Sequence, residues 1–422
     1  MRCHVKLLAA VCLIAGAARG QATQGQDNAA LLDRLRTMED RIKALEAEVA
    51  GLKGQPAAAV TPAPAPAPAA VAAAPAAVPA PTLGGAQGGA SKVFNPDMAV
   101  IGDFIGVGGK NKVNPSPALE MHESEVALQA ILDPYARADF FISFGEHGVD
   151  LEEGYLTFPS LPGHLNLRAG KMRAGFGKIN TLHNHVLPWV DRPLVMQNLT
   201  GGEDGINDAG LSLTRILPAP GGLFLEATGQ VFRGDSDNVF HSWHPNNVST
   251  VGHVHGYRDI NESTNVDLGF SYARGASTQT AGLFNNLYDI DATVRWKPLR
   301  RSIYHSFTGR AEMVWDRNQA TLLAPVKLGS TVSQQTPFGY FVSGEYQFAR
   351  RWFAGGRLDW SERALSAFQH DNGGSAVLTY WPSEFSQVRG QYRRTRYAEG
   401  LTANEILFQF LFSIGAHGAH PF

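Results

Sequence analysis

Residues 287–297 read LYDIDATVRWK. Tyr288, Ile290, Ala292, Val294 and Trp296 alternate there with Asp289, Asp291, Thr293 and Arg295. Extended backbone turns successive side chains to opposite faces, so the first set makes one apolar face and the second one charged face. The same texture returns at 135–145, where Ala138, Phe140, Ile142 and Phe144 oppose Arg137, Asp139 and Ser143. At 352–361, Trp352, Ala354, Gly356, Leu358 and Trp360 oppose Gly355, Arg357 and Asp359. At 404–415, Ile406, Phe408, Phe410, Phe412 and Ile414 oppose Glu405, Gln409 and Ser413. A wall that meets lipid on one side and a polar lumen on the other accounts for both faces together. The expected class is all-β, a transmembrane antiparallel β-barrel over 93–422. A large soluble β-sandwich is the main rival.

The connections predict the strand number. Barrels of this kind alternate short turns with longer loops at the other end. Short turns are expected at Asp133-Pro134, 159–164, 218–222, 298–301, 349–351 and 381–384. Longer loops are expected at 108–118, 174–207, 275–286, 316–337 and 362–374. The alternation fails once, between 223–233 and 264–274. A strand at about 248–258 (VSTVGHVHGYR), with a turn at 259–263, restores it and brings the total to about sixteen.

Composition agrees. The 422 residues include 38 acidic and 36 basic side chains, with no clustered basic face to hold nucleic acid. Mean hydropathy is -0.15. Past the N-terminus no run reaches the roughly 18 apolar residues a spanning helix needs. Alternating strands average out on such a scale, so a barrel and a soluble protein look alike by this measure.

The N-terminal segments are of another kind. Arg2, His4 and Lys6 precede LLAAVCLIAGAA, which predicts a secretory signal peptide over 1–20. Both cysteines, Cys3 and Cys12, fall inside it, so the processed chain is expected to have no disulfide and no thiolate site. Within 27–53, Leu31, Leu35, Met38, Ile42, Leu45, Val49 and Leu52 follow a heptad spacing that predicts an α-helical coiled coil. Arg34 with Glu39, Arg41 with Glu46, and Glu48 with Lys53 supply the opposite charges parallel strands require. A single amphipathic helix is the alternative. β-branched a positions over Leu at d lean toward two strands, whereas the RLRTME and RIKALE segments favour three, hence a homotrimer with a dimer as the alternative. Residues 54–91, rich in Pro and Ala, predict an extended linker.

Residues 152–194 (EEGYLTFPSLPGHLNLRAGKMRAGFGKINTLHNHVLPWVDRPL), with Asn95-Pro96-Asp97 and FQFLFSIGAHGAHPF (408–422), resemble outer-membrane porins of the phosphate-selective O/P group. They are similar also to related proteobacterial barrels linked to zinc supply. The resemblance implies a sixteen-stranded trimeric porin whose third long loop, here 174–207, folds inward.

Parity places Arg137, Arg168, Arg295, Arg310 and Arg357 in the lumen, together with Asp139, Asp289, Asp291, Glu312, Glu345 and Asp359. A phosphate pore needs an excess of inward cations. This mixed set instead predicts a transverse field suited to small polar solutes or ions. His241, His244, His253 and His255 are the candidate metal ligands, and zinc is the ion that imidazole with nearby carboxylate would take. His183 and His185 lie in the large loop. No nucleophile elbow, metalloprotease helix or phosphate loop is found, and no cofactor other than zinc is expected. The predicted function is therefore a passive channel in the bacterial outer membrane, in contact with its lipid, with the stalk in the periplasm. The alternative is a structural tether whose barrel is plugged.

Overall fold

The structure is a computed structural model and describes residues 96–146, 148–236, 239–323 and 330–415. The expected signal peptide, coiled coil and linker lie outside the described residues. Strands run in chain order as β1 Asp97–Lys110, β2 Leu119–Asp133, β3 Ala136–Gly145, β4 Gly148–Leu161, β5 Leu165–Arg173 and β6 Asn207–Leu217. They continue as β7 Phe224–Phe232, β8 Ser249–Asn261, β9 Thr264–Ala276, β10 Phe284–Trp296, β11 Ser306–Leu323 and β12 Ser330–Gln335. The last are β13 Phe338–Ala349, β14 Trp352–Arg363, β15 Ser366–Ser383, β16 Ser386–Arg396 and β17 Thr402–Gly415.

Apart from β12 and β13, each strand pairs antiparallel with its sequence neighbour, and β17 returns to pair with β1 from Ala99↔Gly415 to Lys110↔Asn404. Among the described residues the sheet therefore has no free edge apart from the outer side of β12. β12 and β13 both pair with β11, over its second and first halves, and are separated only by Thr336 and Pro337. They make one wall strand interrupted at a proline that cannot donate to the ladder. Seventeen segments thus form a closed barrel of sixteen strands. The inserted strand expected at 248–258 is β8. The only α-helix among the described residues is Leu194–Leu199, and none is long and apolar enough to cross a membrane.

One expected loop is corrected. Residues 362–374 are mostly strand, because β14 and β15 run on to a tight connection at Arg363↔Ser366. The Asn, Asp and Gly residues of HDNGGS suggest a loop, yet cross-strand contacts extend the hairpin. Trp360 stacks on His370 at 5.5 Å, and Arg363 joins Asp371 at 3.0 Å to Glu399 at 2.6 Å. Likewise β11 and β12 occupy much of the expected loop 316–337.

Burial is inverted relative to a water-soluble sheet. Asp289 and Asp291 are 0% and 3% exposed, whereas Ile290 between them is 47% exposed. Arg357 and Asp359 are 2% and 6% exposed, around Leu358 at 68%. Outward apolar and inward charged side chains are what a hydrocarbon surround selects. Ile290→Arg should therefore cost about 2–4 kcal/mol of unfolding free energy in a bilayer, as lipid-facing cations do near a barrel midplane. A denaturant titration of the lipid-inserted protein checks this, with Leu358→Met as the near-neutral control.

Candidate functional site: an infolded loop across the lumen

The segment between β5 and β6 is held shut at its base and packed against the inner wall. Ala174 N–H donates to the carbonyl of Ile206 at 2.8 Å. Asn180 completes the clasp, giving its amide hydrogens to the carbonyls of Ala174 and Ile206 and accepting from Ile206 N–H at 2.8 Å. Two short 3-10 turns, Ile179–Thr181 and Asn184–Val186, and the helix Leu194–Leu199 shape the rest.

Wall side chains satisfy the backbone of this loop, which a buried loop demands. Gly175 N–H donates to Gln230 of β7 at 2.7 Å, and Gly177 N–H to Ser271 of β9 at 2.8 Å. Ile179 N–H donates to Glu312 of β11 at 3.2 Å, and Lys178 joins Asp267 at 3.1 Å. Gly177 has φ +60°, and a Cβ there would lie 2.0 Å from the Glu312 carboxylate. Only glycine allows that approach and that conformation together.

On β14–β16 the partners are cationic. Asp191 meets Arg357 at 2.9 Å and Arg393 at 3.0 Å, and also accepts from Gln391. Arg357 in turn holds Asp359 at 2.7 Å and lies over the Trp189 ring at 4.8 Å. Asp359 accepts the amide of Leu194, Gln391 that of Val190, and Arg389 donates to the Trp189 carbonyl. Beneath this polar rim Phe176, Ile179, Leu187, Trp189, Val195, Met196 and Leu199 form one buried cluster with inward Phe232, Val251, Leu287, Val314 and Phe341. Burial alone would raise the Asp191 carboxyl, but Arg357 and Arg393 outweigh it and hold the pKa at about 2.

The loop thus touches wall strands on all sides of the ring. Among the residues that parity points inward, Glu312, Arg357 and Asp359 hold the loop. Asp289 and Asp291 are buried on the same inner face as Glu312. Asp139 is buried and receives Arg137 at 2.6 Å, while Arg168 stacks over Tyr155 and Arg295 lies 3.9 Å from Asp267. Arg310 and Glu345 are partly exposed.

The four candidate histidines are placed separately. His253 and His255 lie with ring centroids 5.8 Å apart on β8, His253 bound to Ser271 at 2.8 Å and His255 3.6 Å from Asp267. His241 faces Asp235 at 3.3 Å and the edge of Trp243, and His244 is exposed. Among the described residues, none of the four belongs to a group of three close ligand atoms. Such groups involve instead His183 and His185 with glutamates of β2 and β4.

Several contacts were not read from sequence. Arg389, Gln391 and Arg393 follow the period-2 pattern of β16, a signal open to the same parity argument. Glu152 and Glu153 could not be found that way. A β-bulge between Glu153↔Phe141 and Leu151↔Ile142 leaves Glu152 unpaired and turns both adjacent acids inward.

A closed barrel with a long loop folded into it defines the porin-type fold, and comparison with solved structures agrees. The chain is similar to an anion-selective porin from Comamonas acidovorans, at TM-score 0.53 and 10% identity over 75% of this chain and 98% of that one. It is similar to OprB of Pseudomonas putida at TM-score 0.51 and 11% identity, over 77% and 95% of the two chains. The outer-membrane channel DcaP of Acinetobacter baumannii gives TM-score 0.50 and 12% identity, over 76% and 96%. No family model matches. An uncharacterized protein of Aquifex aeolicus is 28% identical over 393 residues, 79% of this chain and 81% of that protein.

Asp191→Asn should loosen the loop by about 2 kcal/mol, less than the roughly 3–5 for a charge left with no partner, because Arg357 keeps Asp359 and Arg393 keeps Glu405. Hydrogen exchange at the Val190 and Leu194 amides reads the change. The folded carboxyl titrates below its ordinary value of 3.8, so its contribution is complete above about pH 5 and lost as pH falls through about 2. Exchange protection of the loop should fall over that interval in the natural protein and not in Asp191→Asn.

Proposed function

We infer that this protein is an outer-membrane porin through which small polar solutes or ions diffuse passively, and that it is not an enzyme. The observation that carries this reading is the inverted barrel with charged side chains inside and a loop drawn across the lumen. A wall of this construction has no use for its inner charges except toward water, the loop and whatever passes. The pore-lining role belongs to this reading for Arg137, Asp139, Arg168, Asp289, Asp291, Arg295, Arg310, Glu312, Glu345, Arg357 and Asp359. On β9–β11 the acids Asp267, Asp289, Asp291 and Glu312 outnumber Arg295 and Arg310, and on β14–β16 the bases Arg357, Arg389 and Arg393 outnumber Asp359 and Asp371. That separation supports a transverse field rather than a phosphate filter, and weak selectivity. The barrel acts as a homotrimer in the outer membrane, with the coiled coil of 27–53 and the linker of 54–91 in the periplasm.

A second reading has one observation in its favour. The loop is anchored on strands all round the ring, as a plug would be, and a plugged barrel would serve as the anchor of a periplasmic tether. Conductance in a planar lipid bilayer under a salt gradient separates the two. The porin reading predicts stepwise openings, grouped in threes for a trimer, and a reversal potential within a few millivolts of zero. Strong anion preference would contradict the mixed wall, and a folded but silent barrel would favour the tether.

A further inference from the structure

Outside the ion-pair network of Asp191, a second buried cluster joins loop to wall. Glu123 and Glu125 of β2 point inward, and the bulge in β4 sends Glu152 and Glu153 in beside them. The loop brings His183 and His185 to the same place. His183 Nδ1 lies 2.9 Å from Glu125 Oε2 and 3.0 Å from Glu152 Oε2, and its Nε2 lies 2.8 Å from Glu153 Oε1. His185 Nδ1 is 3.9 Å from the same Glu125 oxygen. One ligand atom each from Glu123, Glu125 and His185 falls within 4.8 Å of the others, and the same holds for Glu125, Glu152 and His183. Ligand atoms about 2.1 Å from a four- or five-coordinate cation stand roughly 3.0–3.6 Å apart, so the spacing suits a shared ion.

Two features set this cluster apart from an ordinary patch of acids. Glu123 is 6% exposed, and among the described residues no donor reaches either of its oxygens unless Glu152 carries a proton. The groups beside it include two more carboxylates, Glu152 and Glu125. A carboxylate buried without a donor is among the costlier arrangements in a protein. The orientation of His183 is the other feature. With Nε2 donating to Glu153, a neutral His183 directs its Nδ1 lone pair toward the cluster. Nδ1 is within 3.0 Å of two carboxylate oxygens and aligned to hydrogen-bond neither. Nδ1 and two carboxylates in that space repel unless a proton or a metal cation lies between them. Arg173 contributes one cation, at 3.2 Å from Glu152. With His183 neutral, as a metal ligand must be, four ionised glutamates against Arg173 leave a net charge of -3, which one divalent cation would largely offset.

We propose that Glu123, Glu125 and Glu152 of the wall, with His183 and His185 of the loop, bind one divalent transition-metal ion. Imidazole mixed with carboxylate selects zinc or a similar ion over calcium and magnesium, which prefer oxygen alone. Glu153 orients His183 and Arg173 orients Glu152, as outer residues do around metal ligands. Because the ligands come from both loop and wall, the ion fastens the loop to β2 and β4.

The test uses the full-length protein, purified through chelator, folded in detergent and titrated with Zn2+ by calorimetry, with bound metal counted by mass spectrometry. One Zn2+ per chain is expected, little displaced by excess Ca2+. Glu123→Gln and His183→Gln should each weaken binding at least tenfold, while His241→Ala with His244→Ala leaves it unchanged. Heat-dependent gel mobility confirms that each variant is folded. If a variant fails to fold, Zn2+ added to the natural protein should slow hydrogen exchange over 174–206. The proposal is overturned if the natural protein retains no zinc, which would mean that a shared proton alone neutralises the cluster. It is overturned too if affinity is unchanged in both cluster variants, or depends on His241 and His244 instead.

Discussion

The pairing of β17 with β1 is the constraint on which everything else rests. A sheet whose outer face carries Phe140, Leu211, Phe270, Ile290, Leu358 and Ile406 in exposed positions belongs in an apolar surround. There, an unpaired N–H or C=O finds no water to satisfy it, and each such group costs several kcal/mol. An open edge would present a row of them. The ladder from Ala99↔Gly415 to Lys110↔Asn404 removes both edges in one step. Closure also creates the interior, and only an interior lets Asp289, Glu312 and Arg357 be buried without facing lipid.

The interior then imposes its own demand on the loop. Residues 174–206 carry backbone groups that must be satisfied where little water reaches, and the wall answers with side chains. Acceptors Gln230, Ser271, Glu312, Asp359 and Gln391 take loop amides, and Arg389 gives to a loop carbonyl. Loop apolar side chains meanwhile cover inward Phe232, Leu287, Val314 and Phe341, which would otherwise face the lumen bare. Some inner charges are therefore structural. This role follows from the polar accounting of a buried loop rather than from a special filter motif.

The barrel was legible because its side-chain period is two and because both faces of LYDIDATVRWK are informative at once. The count of sixteen follows from the alternation of short turns and longer loops, and the strand at VSTVGHVHGYR follows from the one place where that alternation fails. What parity could not supply was any departure from parity. The bulge that turns both Glu152 and Glu153 inward breaks the period by one residue, and no local residue announces it. The stretch HDNGGS carries loop-forming residues, yet the stacking of Trp360 on His370 and the Arg363 bridge hold it in strand. Histidine was weighed by number, which favoured His241, His244, His253 and His255. The His183 and His185 pair gains its meaning only when folding lays the loop against β2 and β4.

The central claim is that the loop across the lumen sets the width of the passage. Its ends meet at Ala174 and Ile206, so residues 177–203 can be replaced by a short Gly-Ser link without parting β5 from β6. The decisive measurement is the single-channel conductance of that shortened protein beside the natural one, in the same salt and the same lipid. The account predicts a several-fold rise with the barrel still folded. An unchanged conductance would contradict it and place the restriction elsewhere.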